Sequence, residues 1–244
     1  MVLAQVQNSV ETLTRSTINR FSYGVCTIAV SMDPKTYAPG IFFVENLEQQ
    51  KNIILTPEGD QQTEQRWVLE TPYVAAAVNQ AKTNSDNRIL DYGCGIGRVS
   101  KELLGLCPTL NVWGLDMSPT MLSSSYRYVW HPYFNAVQAS GLFQMFQAGI
   151  RFDIIFSFYV LQHVLNPLEE LDRIAKLLKP GGVFLLLNMH GRAVPTTTGW
   201  QDDGIDLRNE ISKRFVITKD IPLPLPIFGE TAANAHFFVE CRLK

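Results

Sequence analysis

Only four cysteines occur in 244 residues: Cys26, Cys94, Cys107 and Cys241. None shares a Cys-x-x-Cys spacing and none has a histidine neighbour. That excludes a zinc-ribbon pattern or a disulfide framework, and the thiols are expected to be reduced, with no metal site. An excess of basic charge is also missing. Lys and Arg total 21 against 23 Asp and Glu, for a net charge of −2 and a pI near 6.1. With no Lys/Arg run, the chain lacks the electrostatic footprint that phosphate backbones require, and no nucleic-acid partner is expected. No apolar run approaches the ~20 residues of a membrane span. The stretch MVLAQVQNSVETLTR lacks a basic segment followed by an apolar one, so neither signal peptide nor membrane contact is expected and the location is read as cytoplasmic. Internal repeats and low-complexity tracts are absent. What remains is an ordinary globular balance, 46% hydrophobic and 18% charged, long enough for a sizeable core.

The most informative stretch is LDYGCGIGR, residues 90–98. A short apolar strand runs into Asp91, then Gly93, Gly95 and Gly97 alternate, then an amphipathic helix begins. Glycines allow a sharp turn at positive φ and close backbone approach. The helix start offers unpaired N–H groups and a positive dipole end to an anionic group. Asp91 is placed to meet a cationic group of the same ligand, so an amino-acid moiety suits the site better than a pyrophosphate. A dinucleotide fold wants G-x-G-x-x-G; the spacing here is G-x-G-x-G. Cys94 fills a place in the loop where a small residue is needed.

From Arg88 onward strands and helices alternate. Strands are expected at 110–116, 134–140, 152–158 and 183–189. Helices are expected at 118–129, with Ser118 as N-cap and Pro119 in the first turn, and at 166–179, with Asn166 as cap and Leu168, Leu171, Ile174, Leu177 and Leu178 as its buried stripe. Pro180-Gly181-Gly182 is expected to break that helix before the next strand. Such alternation means right-handed βαβ units and a parallel sheet. Near the end, 213–221 and 236–243 read as an antiparallel strand pair joined by a proline-rich loop (Pro222, Pro224, Pro226) with no helix between them. At the front, 25–32, 40–46 and 52–56 read as β-like segments. A helical pair broken at Pro72 follows.

Four segments in order, LDYGCGIGR, GLDMSPTML, FDIIFSFYVLQHV and LKPGGVFLLL, make the chain from about Arg66 onward resemble the class I S-adenosylmethionine-dependent methyltransferases, especially those acting on small molecules. The resemblance implies an α/β fold: an open, mostly parallel, seven-stranded Rossmann-like sheet with helices on both faces and an antiparallel last strand. Residues 63–244 would form this domain, and residues 1–62 an N-terminal extension with β-like segments, or a lid, packed on the core. The implied cofactor is S-adenosyl-L-methionine. Its methionine portion would meet Gly93, Cys94, Gly95 and Gly97, with Asp91 on the ammonium. Asp116 would accept the ribose hydroxyls and Met117 would lie against adenine. Ser140 and Gly141 stand where the family often has an acid for the adenine amino group, so a hydroxyl or backbone group must serve. Phe158 and Tyr159 would flank the sulfonium, and Arg66 and Trp67 resemble a front motif that closes over the cofactor.

Methyl transfer is an in-line displacement that relies on positioning, helped by a base where the acceptor carries a proton. His163 and His190, after the fourth and fifth strands, are the candidate catalytic bases. There is no Asn-Pro-Pro-Tyr after the fourth strand, no Pro-Cys dipeptide, and no aspartate where a magnesium-dependent enzyme would need one. These absences favour a small-molecule acceptor, bound by the front segment, the 190–200 loop and the region near Phe228, with the protein a monomer or homodimer. RNA or protein methylation, another reaction of the same donor, and a non-catalytic donor-binding sensor or partner subunit stay open as alternatives.

Overall fold

A computed structural model of the chain describes residues 36–83 and 88–244. The segment at 25–32, with Cys26, lies outside the described residues. Seven strands make one sheet: β1 (Arg88–Tyr92), β2 (Asn111–Asp116), β3 (Phe134–Gln138), β4 (Phe152–Phe158), β5 (Leu178–Met189), β8 (Phe215–Asp220) and β9 (His236–Leu243). Their order is β3-β2-β1-β4-β5-β9-β8. Neighbours from β3 to β5 pair parallel, while β9 is antiparallel to both β5 and β8. A two-stranded hairpin, β6 (Val194–Thr196) and β7 (Gly199–Gln201), stands apart from the sheet.

Strand alternation supplies two cores. Ile89, Ile154, Phe156, Leu185 and Leu187 face one side, beneath helices α2 (Thr63–Gln80), α3 (Arg98–Leu106), α4 (Pro119–Val129) and α8 (Leu225–Ala235). Leu90, Ile155, Phe184 and Leu186 face the other, beneath α5 (Leu142–Gln147), α6 (Pro167–Leu177) and α7 (Leu207–Arg214). The central strands are apolar on both faces, as parallel strands covered by helices must be. No helix among the described residues is long and apolar enough to cross a membrane.

Four expectations are corrected. First, Pro72 does not divide α2, which runs unbroken through it. A proline inside a helix costs ~3 kcal/mol. Here Trp67, Thr71, Val74, Ala75 and Val78 are buried on both sides of it, and at ~1.5–3 kcal/mol per large apolar side chain their burial outweighs that cost. Second, residues 40–46 and 52–56 form no strands. They contribute to a 3₁₀ turn, Pro39–Phe42, and a helix α1, Leu47–Ile54, capped by Asn46, whose side chain accepts from the amides of Glu48 and Gln49. Capping fixes the helical start that the apolar run had obscured.

Third, α8 lies between the last two strands where a loop was expected. Pro224 is its N-cap and Pro226 falls in its first turn, where a missing N–H does no harm. It kinks at Gly229, at φ +72°. Fourth, α6 ends at Leu177 and the Pro-Gly-Gly run lies within β5, with Gly181 at φ +78°. Leu168 is half-buried, outside the stripe, and Asn166 makes no side-chain cap bond. Similarly β3 stops at Gln138, followed by a 3₁₀ turn holding Ser140 and Gly141.

Candidate functional site

The site gathers at the carboxyl ends of β1, β2 and β4. Gly93, Gly95 and Gly97 have φ of +84°, +53° and +82°. The loop is lashed to the end of β2. The amides of Gly93 and Cys94 both donate to the Leu115 carbonyl, at 2.7 and 2.9 Å, and the Gly97 amide donates to Cys94. The glycine requirement is also one of packing: a Cβ at Gly93 would lie 2.3 Å from Val160, and one at Gly97 2.4 Å from Val129. Above Gly95 sits Ile54 at the end of α1, whose Cδ1 would be 2.8 Å from such a Cβ. Cys94 is buried against Gly114, consistent with a packing role.

Two carboxylates flank this loop. The Asp116 Oδ2 accepts from the Gly95 amide at 2.8 Å and its Oδ1 from the Ser118 amide at 2.8 Å. Burial raises its pKa, while those amides oppose the rise. Asp91 is fully enclosed. It accepts from the Ser100 hydroxyl at 2.7 Å, and among the described residues it forms no ion pair. Burial pushes its carboxyl up from 3.8 to about 7, opposed by the Ser100 hydroxyl and the Arg98 charge. Arg98 acts on this carboxylate through its charge, with no direct ion pair among the described residues.

A buried ionic cluster adjoins the exit of β4. Arg66 donates through Nε to Glu70 at 2.6 Å, through an Nη to the Thr56 carbonyl at 2.7 Å, and pairs with Glu58 at 3.0 Å. Tyr159 donates to the other Glu70 oxygen at 2.8 Å. His236 packs edge-on against the Tyr159 ring, with centroids 5.2 Å apart, and burial lowers its pKa to about 4. Phe158 is buried against Phe156 and Phe238. The Trp67 indole N–H donates to the Tyr128 hydroxyl at 3.2 Å, with Arg98 and Lys51 over its ring.

Past β4, His163 lies between the rings of Phe42 and Trp200, with centroids at 5.4 and 5.3 Å. Its Nδ1 donates to the Ala193 carbonyl at 2.7 Å, which leaves Nε2 to accept from the Gln162 amide at 3.1 Å. Burial pushes its pKa down to about 4, so the ring is neutral, and a base role requires the Gln162 amide to swing away. His190 is exposed beside Phe237.

The front segment meets the β6–β7 hairpin directly: the Ala38 amide donates to Pro195 and the Thr197 amide to Thr36. Between them lies a cleft of about 300 Å³ lined by Ala38, Ile41, Pro195, Thr196 and Trp200. Phe228 is not part of it, being buried in the core against Tyr73. Met117 is exposed at the end of β2, as is Ser140 after β3, with Gly141 half-buried.

Thus Asp91, Gly93, Cys94, Gly95, Gly97 and Asp116 come together, with Arg66 and Phe158 near the exit of β4. Trp67 packs on Tyr128 and beneath Arg98, Ser140 and Gly141 follow β3, the strand beside β2, and His190 is exposed after β5. Sequence reasoning missed Glu58, Glu70 and His236, which come from distant segments and follow no local pattern. It also missed Arg192, whose buried guanidinium pairs with Asp203 at 2.9 Å and caps the Leu161 and Val164 carbonyls.

A family model described as a methyltransferase domain matches residues 63–213. A ubiquinone biosynthesis O-methyltransferase of Cereibacter sphaeroides is 32% identical over 103 residues, 40% of this chain and 39% of that one. A trans-aconitate 2-methyltransferase of Rhodopseudomonas palustris is 30% identical over 105 residues, 43% of this chain and 40% of that one. The chain therefore spans about two fifths of the length of these curated relatives. Among solved structures, a glycopeptide N-methyltransferase complexed with S-adenosylmethionine superposes with a TM-score of 0.55 at 15% identity, over 71% of this chain and 94% of that one. At that identity the likeness speaks for the fold.

Proposed function

The chain belongs to the methyltransferase-domain family matched over residues 63–213, and from that premise we propose that it moves a methyl group from S-adenosylmethionine to an oxygen of a small organic acceptor. One observation carries the reading: a glycine loop held between two strand-end carboxylates, of which Asp91 makes no direct ion pair among the described residues and Asp116 keeps acceptor capacity on both oxygens. These residues fit an adenosyl amino acid. The α-ammonium supplies a direct ionic partner for Asp91, and the ribose diol meets the free lone pairs of Asp116. When bound, the sulfonium supplies an activated methyl whose leaving group departs neutral.

The protein's part is to hold and to exclude water. Asp91 and Asp116 fix the two ends of the donor, and Phe158 and Tyr159 wall the reacting centre. The cleft between residues 38–41 and the hairpin is the acceptor site, and its apolar lining suits a small organic molecule. An oxygen acceptor is favoured by the likeness to the ubiquinone biosynthesis O-methyltransferase, and a small organic one by the likeness to the trans-aconitate methyltransferase. His163 shapes the wall of that cleft as a neutral ring. Residues 63–244 act as the methyltransferase domain and the front segment as its strap.

The test is a screen of acceptor pools with isotopically labelled methyl donor, on the chain and on Asp116→Ala. Label entering a small-molecule fraction and lost in the variant supports the reading. Incorporation indifferent to the substitution overturns it.

A further inference from the structure

Glu70 is wholly buried, at 0% exposure, on a helix whose other inward residues near it, apart from Arg66, are apolar or hydroxylic. An ionised carboxylate in such a place is costly unless it is paired and hydrogen-bonded, and both of its oxygens are used. One accepts from Arg66 Nε at 2.6 Å, the other from the Tyr159 phenol at 2.8 Å. Tyr159 is the first residue beyond β4. It lies at φ +62°, a left-handed conformation that costs a side-chain-bearing residue ~1–2 kcal/mol. Its amide donates to the Leu187 carbonyl at 2.8 Å, so the backbone is held on one side and the ring tip on the other. Arg66, the second partner of Glu70, reaches the Thr56 carbonyl and Glu58. That loop directly follows Ile54, which lies over Gly95.

One carboxylate thus ties the exit of β4 to the segment covering the glycine loop. We infer that Glu70 is a positioning residue of the donor site, holding Tyr159 in its left-handed turn and Arg66 against the front segment so that the pocket wall keeps its register with the loop. The inference rests on the donor reading above. Glutamine fits the space but removes the charge: with its oxygen on Arg66, its N–H can only donate to the phenol oxygen, so the Tyr159 bond is reversed and no longer charge-assisted.

The experiment is calorimetric titration of S-adenosylhomocysteine into the full chain and into Glu70→Gln, Tyr159→Phe, the double variant and Glu64→Gln. Glu64 lies on the same helix with a side chain 70% exposed. Glu70→Gln and Tyr159→Phe are each expected to raise Kd about tenfold. The double variant is expected to do so by about the same factor, because both substitutions act on the Glu70–Tyr159 bond, and Glu64→Gln leaves Kd unchanged. Near-hundredfold loss in the double variant, or unaltered affinity in Glu70→Gln, overturns the inference while leaving the donor reading intact. If Glu70→Gln does not fold, Tyr159→Phe decides, and wild-type affinity in that variant overturns it. No binding by the unmodified chain overturns both.

Discussion

Asp91 carries the sharpest consequences at the scale of single residues. The folded protein keeps its proton up to about pH 7, whereas the unfolded chain releases it near 3.8. Between these values the folded state binds more protons, so this group's contribution to stability falls as pH rises. Asp91→Asn removes that dependence. In denaturant unfolding the variant is expected to gain on the wild type between about pH 4 and pH 7, by a few kcal/mol at most, and to hold that gain above it. Donor affinity should move the opposite way. The ammonium needs the charged carboxylate, so binding strengthens as pH rises to about 7 and then levels. Calorimetry near pH 6 in buffers of different ionisation enthalpy should detect a released proton, and equal heats would contradict the assignment.

Gly97 and Gly149 separate conformational strain from packing. Both have positive φ, but a Cβ at Gly149 meets nothing within 4 Å while one at Gly97 strikes Val129. Gly149→Ala is expected to cost ~1–2 kcal/mol and Gly97→Ala ~2–4 kcal/mol, as read by chemical denaturation.

At the scale of elements, the edge of the sheet and the loop after β4 make the clearest cases. Tyr126 on α4 covers the outer edge of β3, its hydroxyl accepting from the Ala136 amide and donating to the Ala136 carbonyl. An uncovered edge invites another strand. Tyr126→Phe should cost ~1 kcal/mol and increase self-association in light scattering. Arg192 joins the turn after β4 to Asp203 and so holds the backbone that carries His163. Arg192→Met leaves Asp203 buried without its partner, and a loss of ~3–5 kcal/mol is expected in denaturant unfolding.

The elements also show what the chain made legible. β4 and α4 were readable to their ends because apolar runs and a Ser-Pro start are local signals. Pro72 and the Pro224–Pro226 run misled because proline's local meaning depends on which turn of a helix it occupies. Helix α1 was obscured because its N-cap, Asn46, follows an apolar stretch that mimics strand alternation. Within the site, the strand-end acids and the glycines announce themselves by spacing. Glu70 and Arg66 form a pair that helical spacing allows, but the Tyr159 contact that joins them to the exit of β4 spans 89 residues, and Arg192 meets Asp203 across 11 residues of hairpin and loop, which no periodicity displays.

On the scale of the whole molecule, the parallel sheet aligns three strand ends, two of them bearing acids, and the front segment closes over them against the β6–β7 hairpin. That assembly is the physical basis for treating one ligand as gripped at both ends. Titration of S-adenosylmethionine and S-adenosylhomocysteine into the full chain tests it most directly, beside Asp91→Asn and Asp116→Ala. One-to-one saturable binding, weakened at least tenfold by each substitution in correctly folded protein, is the expected result. Absence of binding, or affinity that neither substitution alters, would contradict it.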